Sequence, residues 1–132
     1  TECDVLIPAA LENQITADIA KELNAKMIIE AANGPTTVEA DAILEERGIK
    51  LVPDILANSG GVIVSYCEWI QNMQSISWEE AHVNEMLKEF MVKAFNNVYD
   101  TAKELNVSMR IAAYVVALRR LVASKKYRGI YP

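Results

Sequence analysis

Three short stretches carry residues suited to holding a flat polar ligand, and each follows an apolar run. Pro8-Ala9-Ala10 follows the first run, Ala32-Asn33-Gly34-Pro35 the second, and Asn58-Ser59-Gly60-Gly61 closes a loop that opens at Asp54. Small residues let a ring approach the backbone, and an Asn amide offers both a donor and an acceptor. Gly60-Gly61 ahead of an apolar helix presents free amide groups at a positive helix end, an arrangement suited to a carboxylate. The three loops count together; one alone would be a weak signal.

Other reactive residue types lack partners. Cys3 and Cys67 stand far apart, without Cys-x-x-Cys spacing and with only His82 as a possible companion. Neither a metal site nor a disulfide framework fits that supply, so both read as reduced, packed thiols of a cytoplasmic protein. His82 reads as a surface residue near a helix start. Glu45-Glu46 and Glu79-Glu80 read as solvated or first-turn charge and not as an acid/base pair. Tyr66, Trp69, Trp78 and Tyr114 read as packing residues. Taken from the residues alone, Ser65 is a helix serine bonded to its own backbone.

The elements that must position the loops alternate along the chain. Cys3 to Pro8, Lys26 to Ala31 and Ile49 to Pro53 are short apolar runs without alternation, the pattern of parallel strands covered on both faces. Between the first two, Thr16 is placed to cap a helix with Ile19, Ala20 and Leu23 on one face. Between the second and third, Thr36 and Glu39 form a capping-box pattern for a helix ending at Gly48. Asn33-Gly34 also fits a hairpin turn, but the Pro and the helix signal that follow favour a strand-to-helix turn. Right-handed crossovers then make half of a Rossmann-like doubly wound sheet, whose ligands bind at the carboxyl ends of the strands. The rest reads as helical: Gly60 to about Gln74, then a long helix opened by Ser77 and Glu80, then one from about Ser108. The long helix carries the stripe Val83, Leu87, Phe90, Ala94, Val98 and Ala102. The last is expected to turn Ile111, Val115, Leu118 and Val122 inward, and its Arg119, Arg120, Lys125, Lys126 and Arg128 read as solvated charge at a helix end. The expected organisation is one partial domain over 1–132, with a βαβαβ half over 1–58 and a helical segment over 59–132.

Composition narrows the field. Among 132 residues, 13 Lys plus Arg face 18 Asp plus Glu, a net charge of −5 that argues against nucleic-acid binding. At 52% hydrophobic and 23% charged, the chain can fill a core and is no disordered tail. No apolar run approaches the roughly 18 residues of a membrane span, and no leader is visible. A start at Thr1-Glu2-Cys3, entering an apolar strand almost at once, reads as a piece of something longer. The glycines are at 34, 48, 60, 61 and 129, so no Gly-x-Gly-x-x-Gly turn for a pyrophosphate is present.

Long strings in this chain resemble the C-terminal part of glutamate dehydrogenases of the hexameric bacterial and archaeal type. They are Ile7-Pro8-Ala9-Ala10 with Glu12-Asn13-Gln14-Ile15-Thr16, Ala31-Ala32-Asn33-Gly34-Pro35-Thr36-Thr37, and Val52-Pro53-Asp54-Ile55-Leu56-Ala57-Asn58-Ser59-Gly60-Gly61. Val64-Ser65-Tyr66, Glu68-Trp69, Gln71-Asn72, Arg110 with Ala112-Ala113-Tyr114, and Arg128-Gly129 extend the match over essentially the whole length. Ser59, often Ala in the family, and Cys67, often Phe, depart from the common form.

The resemblance implies reversible oxidative deamination of L-glutamate to 2-oxoglutarate and ammonia with NAD or NADP, in a homohexameric parent. It implies that Ala9 and Ala10 line the nicotinamide nucleotide and that Asn33 bonds near the nicotinamide ribose and the substrate. Asn58 would sit where ring and substrate meet. Val62 and Ser65 would face the distal part of the substrate, which makes the Ser65 hydroxyl a ligand. The family's catalytic Lys and Asp belong to another domain, so no catalytic residue and no metal ligand is assigned to this chain, and the piece alone is expected to be inactive. The rival reading is a non-catalytic binding or assembly module that keeps the half-fold and self-associates through an uncovered strand edge.

Overall fold

The computed structural model describes residues 2–129; the chain ends at Thr1 and Pro132 lie outside the described residues. In order, the elements are β1 (Cys3–Leu6), α1 (Ala17–Glu22), β2 (Ala25–Ile29), α2 (Val38–Glu46), β3 (Lys50–Val52), α3 (Asp54–Ala57), α4 (Gly60–Gln74), α5 (Glu80–Leu105) and α6 (Met109–Arg128). The three strands form one parallel sheet in the order β1-β2-β3, and α1 and α2 supply the crossovers that parallel neighbours require. This is the α/β half-sheet followed by helices that the alternation of runs and caps predicts.

Register puts Leu6 beside Ile28 and Ile28 beside Leu51 on one face. That row packs with Ile15, Ala20, Ala40 and Leu44 beneath α1 and α2, and Ile28 and Ala40 are fully buried. The next row turns the other way, where Val52 joins a second core with Leu56, Val98, Ala112 and Ala113 from α3, α5 and α6. That second face is covered only at its β3 end. Val5 of β1 stays 45% exposed, which corrects the expectation of strands covered on both faces.

Local details depart from the sequence pattern where one backbone bond decides. The N-cap of α2 is Thr37, whose hydroxyl accepts from the Ala40 N–H, so the Thr36/Glu39 box does not form. Thr36 instead bridges to Ile15 as extended backbone, and its buried Oγ1 has no partner among the described residues. Thr16 is the N-cap of α1 and Glu79 that of α5, neither with a side-chain cap bond, so the Ser77/Glu80 box is absent too. Ser108 does cap α6, accepting from the Ile111 N–H. Helix α6 is rotated from the expected face: Ala112 and Ala113 are buried against α5, while Ile111, Leu118 and Val122 are exposed. Small Ala side chains allow the two helices close approach, so packing follows the Ala face and not the bulkier stripe. The α5 stripe faces inward except Phe90, which is exposed.

Tyr66 and Trp69 are exposed and stacked on each other, and Tyr114 is exposed, so these three are not packing residues within this chain. Trp78 is half-buried and meets the exposed His82 edge-on. Both cysteines are free thiols, Cys67 buried and Cys3 half-buried. Among the described residues no helix is long and apolar enough to cross a membrane.

Candidate functional site

Each strand ends in a loop at the same rim, and backbone bonds lock neighbouring loops together. The Pro8 carbonyl after β1 accepts from the N–H groups of Ala31 and Ala32 after β2, at 3.0 and 2.8 Å. Further along, the Asn13 and Ile15 N–H groups donate to the carbonyls of Gly34 and Pro35, each at 2.8 Å. Gly34 has φ of +54°, the left-handed conformation glycine adopts without a Cβ clash, and it turns the chain from β2 toward α2.

The third loop is a short helix that the sequence pattern did not separate from its surroundings. Pro53 precedes α3 with φ of −72°, Leu56 anchors the helix in the second core, and Asn58 ends it as the C-cap. From that position the Asn58 Nδ2 donates to Asn33 Oδ1 at 2.6 Å and to the Ala31 carbonyl at 3.4 Å. Two of the candidate residues therefore touch. In the pair as formed, Asn33 keeps its NH2 donors and Asn58 its carbonyl oxygen. Ala9 and Ala10 are exposed in the adjoining loop and add no bulk.

Val62 and Ser65 lie one turn apart on α4 and share a face. Both are exposed, Val62 by 73%, and Ser65 makes no hydrogen bond to the Asn pair among the described residues. At the start of that helix, a Cβ on Gly60 would stand 3.4 Å from Leu87 Cδ1, whereas one on Gly61 would meet nothing within 4 Å. Helix α5 thus closes one side of the turn and leaves the other open.

Beneath the rim lies an ionic cluster that sequence reasoning missed. Arg110, near the start of α6, donates from Nη2 to Glu30 Oε1 at 2.8 Å and from Nε to Asp41 Oδ2 at 2.8 Å. Its Nη1 stands 3.6 Å from Asp54 Oδ1. Glu30 directly follows β2 with its side chain at 0% exposure, while that of Arg110 is 20% exposed. Burial disfavours the guanidinium charge, but the hydrogen bonds to Glu30 and Asp41 outweigh it and hold Arg110 protonated beyond its ordinary range. The signal for this cluster was present: a Glu closing a strand read as buried requires a cation, and Arg110 sits among apolar residues of a helix.

Among the described residues no group of three or more His, Cys, Asp or Glu can hold a metal ion. Two surface depressions, of about 420 Å³ along α6 and about 990 Å³ along α5, are each lined by a single helix and include none of the rim residues.

A parallel sheet whose carboxyl-end loops meet in an amide pair is half of a Rossmann-type doubly wound domain. Comparison with known proteins fixes the family. The chain belongs to the Glutamate/Leucine/Phenylalanine/Valine dehydrogenase family, whose profile matches residues 1–129. It is 52% identical over 128 residues to the cryptic catabolic NAD-specific glutamate dehydrogenase GudB of Bacillus subtilis (strain 168), covering 97% of this chain and 30% of that protein. It is 51% identical to the NAD-specific glutamate dehydrogenase of Staphylococcus aureus (strain COL), covering 97% of this chain and 31% of that protein. Among solved structures, the glutamate dehydrogenase of Peptoniphilus asaccharolyticus superposes with a TM-score of 0.90 at 53% identity, covering 95% of this chain and 32% of that one. The hetero-hexameric glutamate dehydrogenase of Thermus thermophilus, in its Leu bound form, superposes with a TM-score of 0.94 at 32% identity, covering 100% and 32%. This chain thus spans about 30% of the length of the curated relatives it matches.

Proposed function

We propose that this chain is the C-terminal part of a glutamate dehydrogenase and supplies the nicotinamide-facing wall of its cleft. The observation that carries the reading is the Asn33–Asn58 pair at the strand-end rim. Its spare amide donors and acceptor match a nicotinamide carboxamide or ribose hydroxyls, and Ala9 and Ala10 leave room for the flat ring. When bound, the nicotinamide supplies the hydride acceptor for oxidation at the substrate α-carbon.

The chain's own residues bind and orient. Asn33 and Asn58 fix the ring edge, Asn58 also reaches the substrate side, and Val62 with the Ser65 hydroxyl contacts the distal end of glutamate or 2-oxoglutarate. None of these residues moves a proton in the reaction, so catalysis needs groups from the rest of a longer polypeptide. NAD is the favoured cofactor because the similar curated proteins are NAD-specific. We assign 1–58 to the second half of the nucleotide-binding domain and 59–132 to the helices that follow, in a homohexameric cytoplasmic parent. The cytoplasmic assignment rests on the free thiols of Cys3 and Cys67.

The test is NAD-linked glutamate oxidation by the purified 132-residue chain and by the longer polypeptide that carries it. The expected result is turnover by the second only; full-rate turnover by the first overturns the reading, as does an inactive longer polypeptide. A second reading, a self-associating module without catalysis, is favoured by one feature: β1 lies at the sheet edge with Val5 exposed. It requires dimers or larger species in sedimentation, and a stable monomer at high concentration excludes it.

A further inference from the structure

We propose that Arg110 is the positioning residue of the rim, setting both halves of the Asn33–Asn58 pair from below through Glu30 and Asp54. The proposal rests on the reading of that rim as the nicotinamide wall, and it adds how the wall is held.

Two routes leave the one guanidinium. Nη2 bonds Glu30 Oε1 at 2.8 Å, and the other oxygen of that carboxylate, Oε2, accepts from the Asp54 N–H at 2.9 Å. That N–H opens α3, the four-residue helix whose C-cap is Asn58, so the first route ends at the Asn58 side of the pair. Asp54 carries the second route. Its Oδ1 lies 3.6 Å from Arg110 Nη1 and accepts from the Ile55 N–H, while its Oδ2 accepts from the Gly34 N–H at 2.7 Å. Gly34 neighbours Asn33, so this route ends at the other side. Asp41 on α2 accepts from Nε and Nη2 and fixes the plane of the guanidinium. The fork geometry and permanent charge of Arg suit this task, and Lys would reach fewer acceptors as a point charge. Because Arg110 belongs to α6, the arrangement ties that helix to the rim.

The test compares Arg110→Met/Glu30→Gln with Glu30→Gln alone, so that no buried charge is stranded, and includes Arg110→Lys. In the 132-residue chain, hydrogen exchange at the Gly34 and Asp54 amides is expected to accelerate about tenfold in the double variant. Exchange at the Ile28 amide in the sheet should stay constant, and Arg110→Lys should fall between. Unchanged Gly34 and Asp54 exchange overturns the proposal, and so does equal acceleration at Ile28, which marks a merely structural role. In the longer polypeptide, the double variant is expected to lower kcat for glutamate oxidation by roughly tenfold or more, as displaced reacting groups do. KM for glutamate should rise less than kcat falls, since of the substrate-side residues only Asn58 hangs on a route while Val62 and Ser65 on α4 do not. A wild-type polypeptide without glutamate oxidation removes the functional reading, and the exchange experiment still decides the role of Arg110.

Discussion

Replacing Arg110 by Met should be among the most destabilising single changes in this chain, and the magnitude follows from what is left behind. Glu30 has no exposed side-chain surface and loses its cation, keeping only the Asp54 N–H as a donor. Breaking a buried ion pair from one side costs about 3–5 kcal/mol, and a fully buried survivor belongs at the upper end. Glu30→Met is milder, about 3 kcal/mol or less, because Arg110 retains Asp41 and some access to water. Removing both partners as Arg110→Met/Glu30→Met strands no fully buried charge; it leaves the Asp54 N–H without its acceptor, a cost of about 1–3 kcal/mol, and the half-buried Asp41 without its cation but still in reach of water. The double variant should therefore be more stable than Arg110→Met alone. Urea unfolding followed by far-UV circular dichroism measures this as midpoints at a common slope. If Arg110→Met costs less than about 1 kcal/mol, or the double variant shows the sum of the singles, the pairing energetics argued here are wrong.

Further outcomes separate the observed structure from the sequence pattern. Thr37→Ala should cost about 1 kcal/mol as a lost N-cap, whereas Glu39→Ala should change stability by no more than about 0.5 kcal/mol, both by urea unfolding. Thr36→Val should be neutral or stabilising by up to roughly 1 kcal/mol, since it removes a buried hydroxyl without a partner. Ile28→Ala should cost about 2–5 kcal/mol by leaving a cavity under α1 and α2. The Arg110 guanidinium is held protonated beyond its ordinary range, so the stability it contributes is fully present through neutral and mildly alkaline pH and is lost only as pH rises into strong alkali. Unfolding free energies of wild type and Arg110→Met/Glu30→Met should accordingly differ by a constant amount from neutral to mildly alkaline pH, and a growing gap would contradict this.

Strand positions were legible because parallel strands in a half-sheet are short apolar runs bounded by Pro, Gly and caps. Parallel pairing, and with it the gathering of the loops at one rim, followed from the alternation of strands and helices along the chain. Finer features depended on pairings that no local pattern encodes. Thr36 and Thr37 are equally good capping residues, and the bridge from Thr36 to Ile15 selects the second. The inner face of α6 was misread because hydrophobic periodicity weighs Ile111 and Leu118 above Ala112 and Ala113, while close helix packing favours the small residues. The contact of Asn33 with Asn58 was anticipated only as a shared rim, and the hub beneath it joins residues up to 80 positions apart. The local traces of that hub are Glu30, a charge at the end of a buried strand, and Arg110, a charge among the apolar residues of a helix.

The wall itself is tested most directly by titrating the isotopically labelled chain with nicotinamide mononucleotide, which carries only the part of the cofactor this rim would meet. Two-dimensional amide spectra report even millimolar binding. Concentration-dependent shifts are predicted at Ala9, Ala10, Asn33, Gly34 and Asn58, including the Asn58 side-chain amide. Shifts confined to the α5 or α6 depressions, with the rim resonances unmoved, would contradict the account.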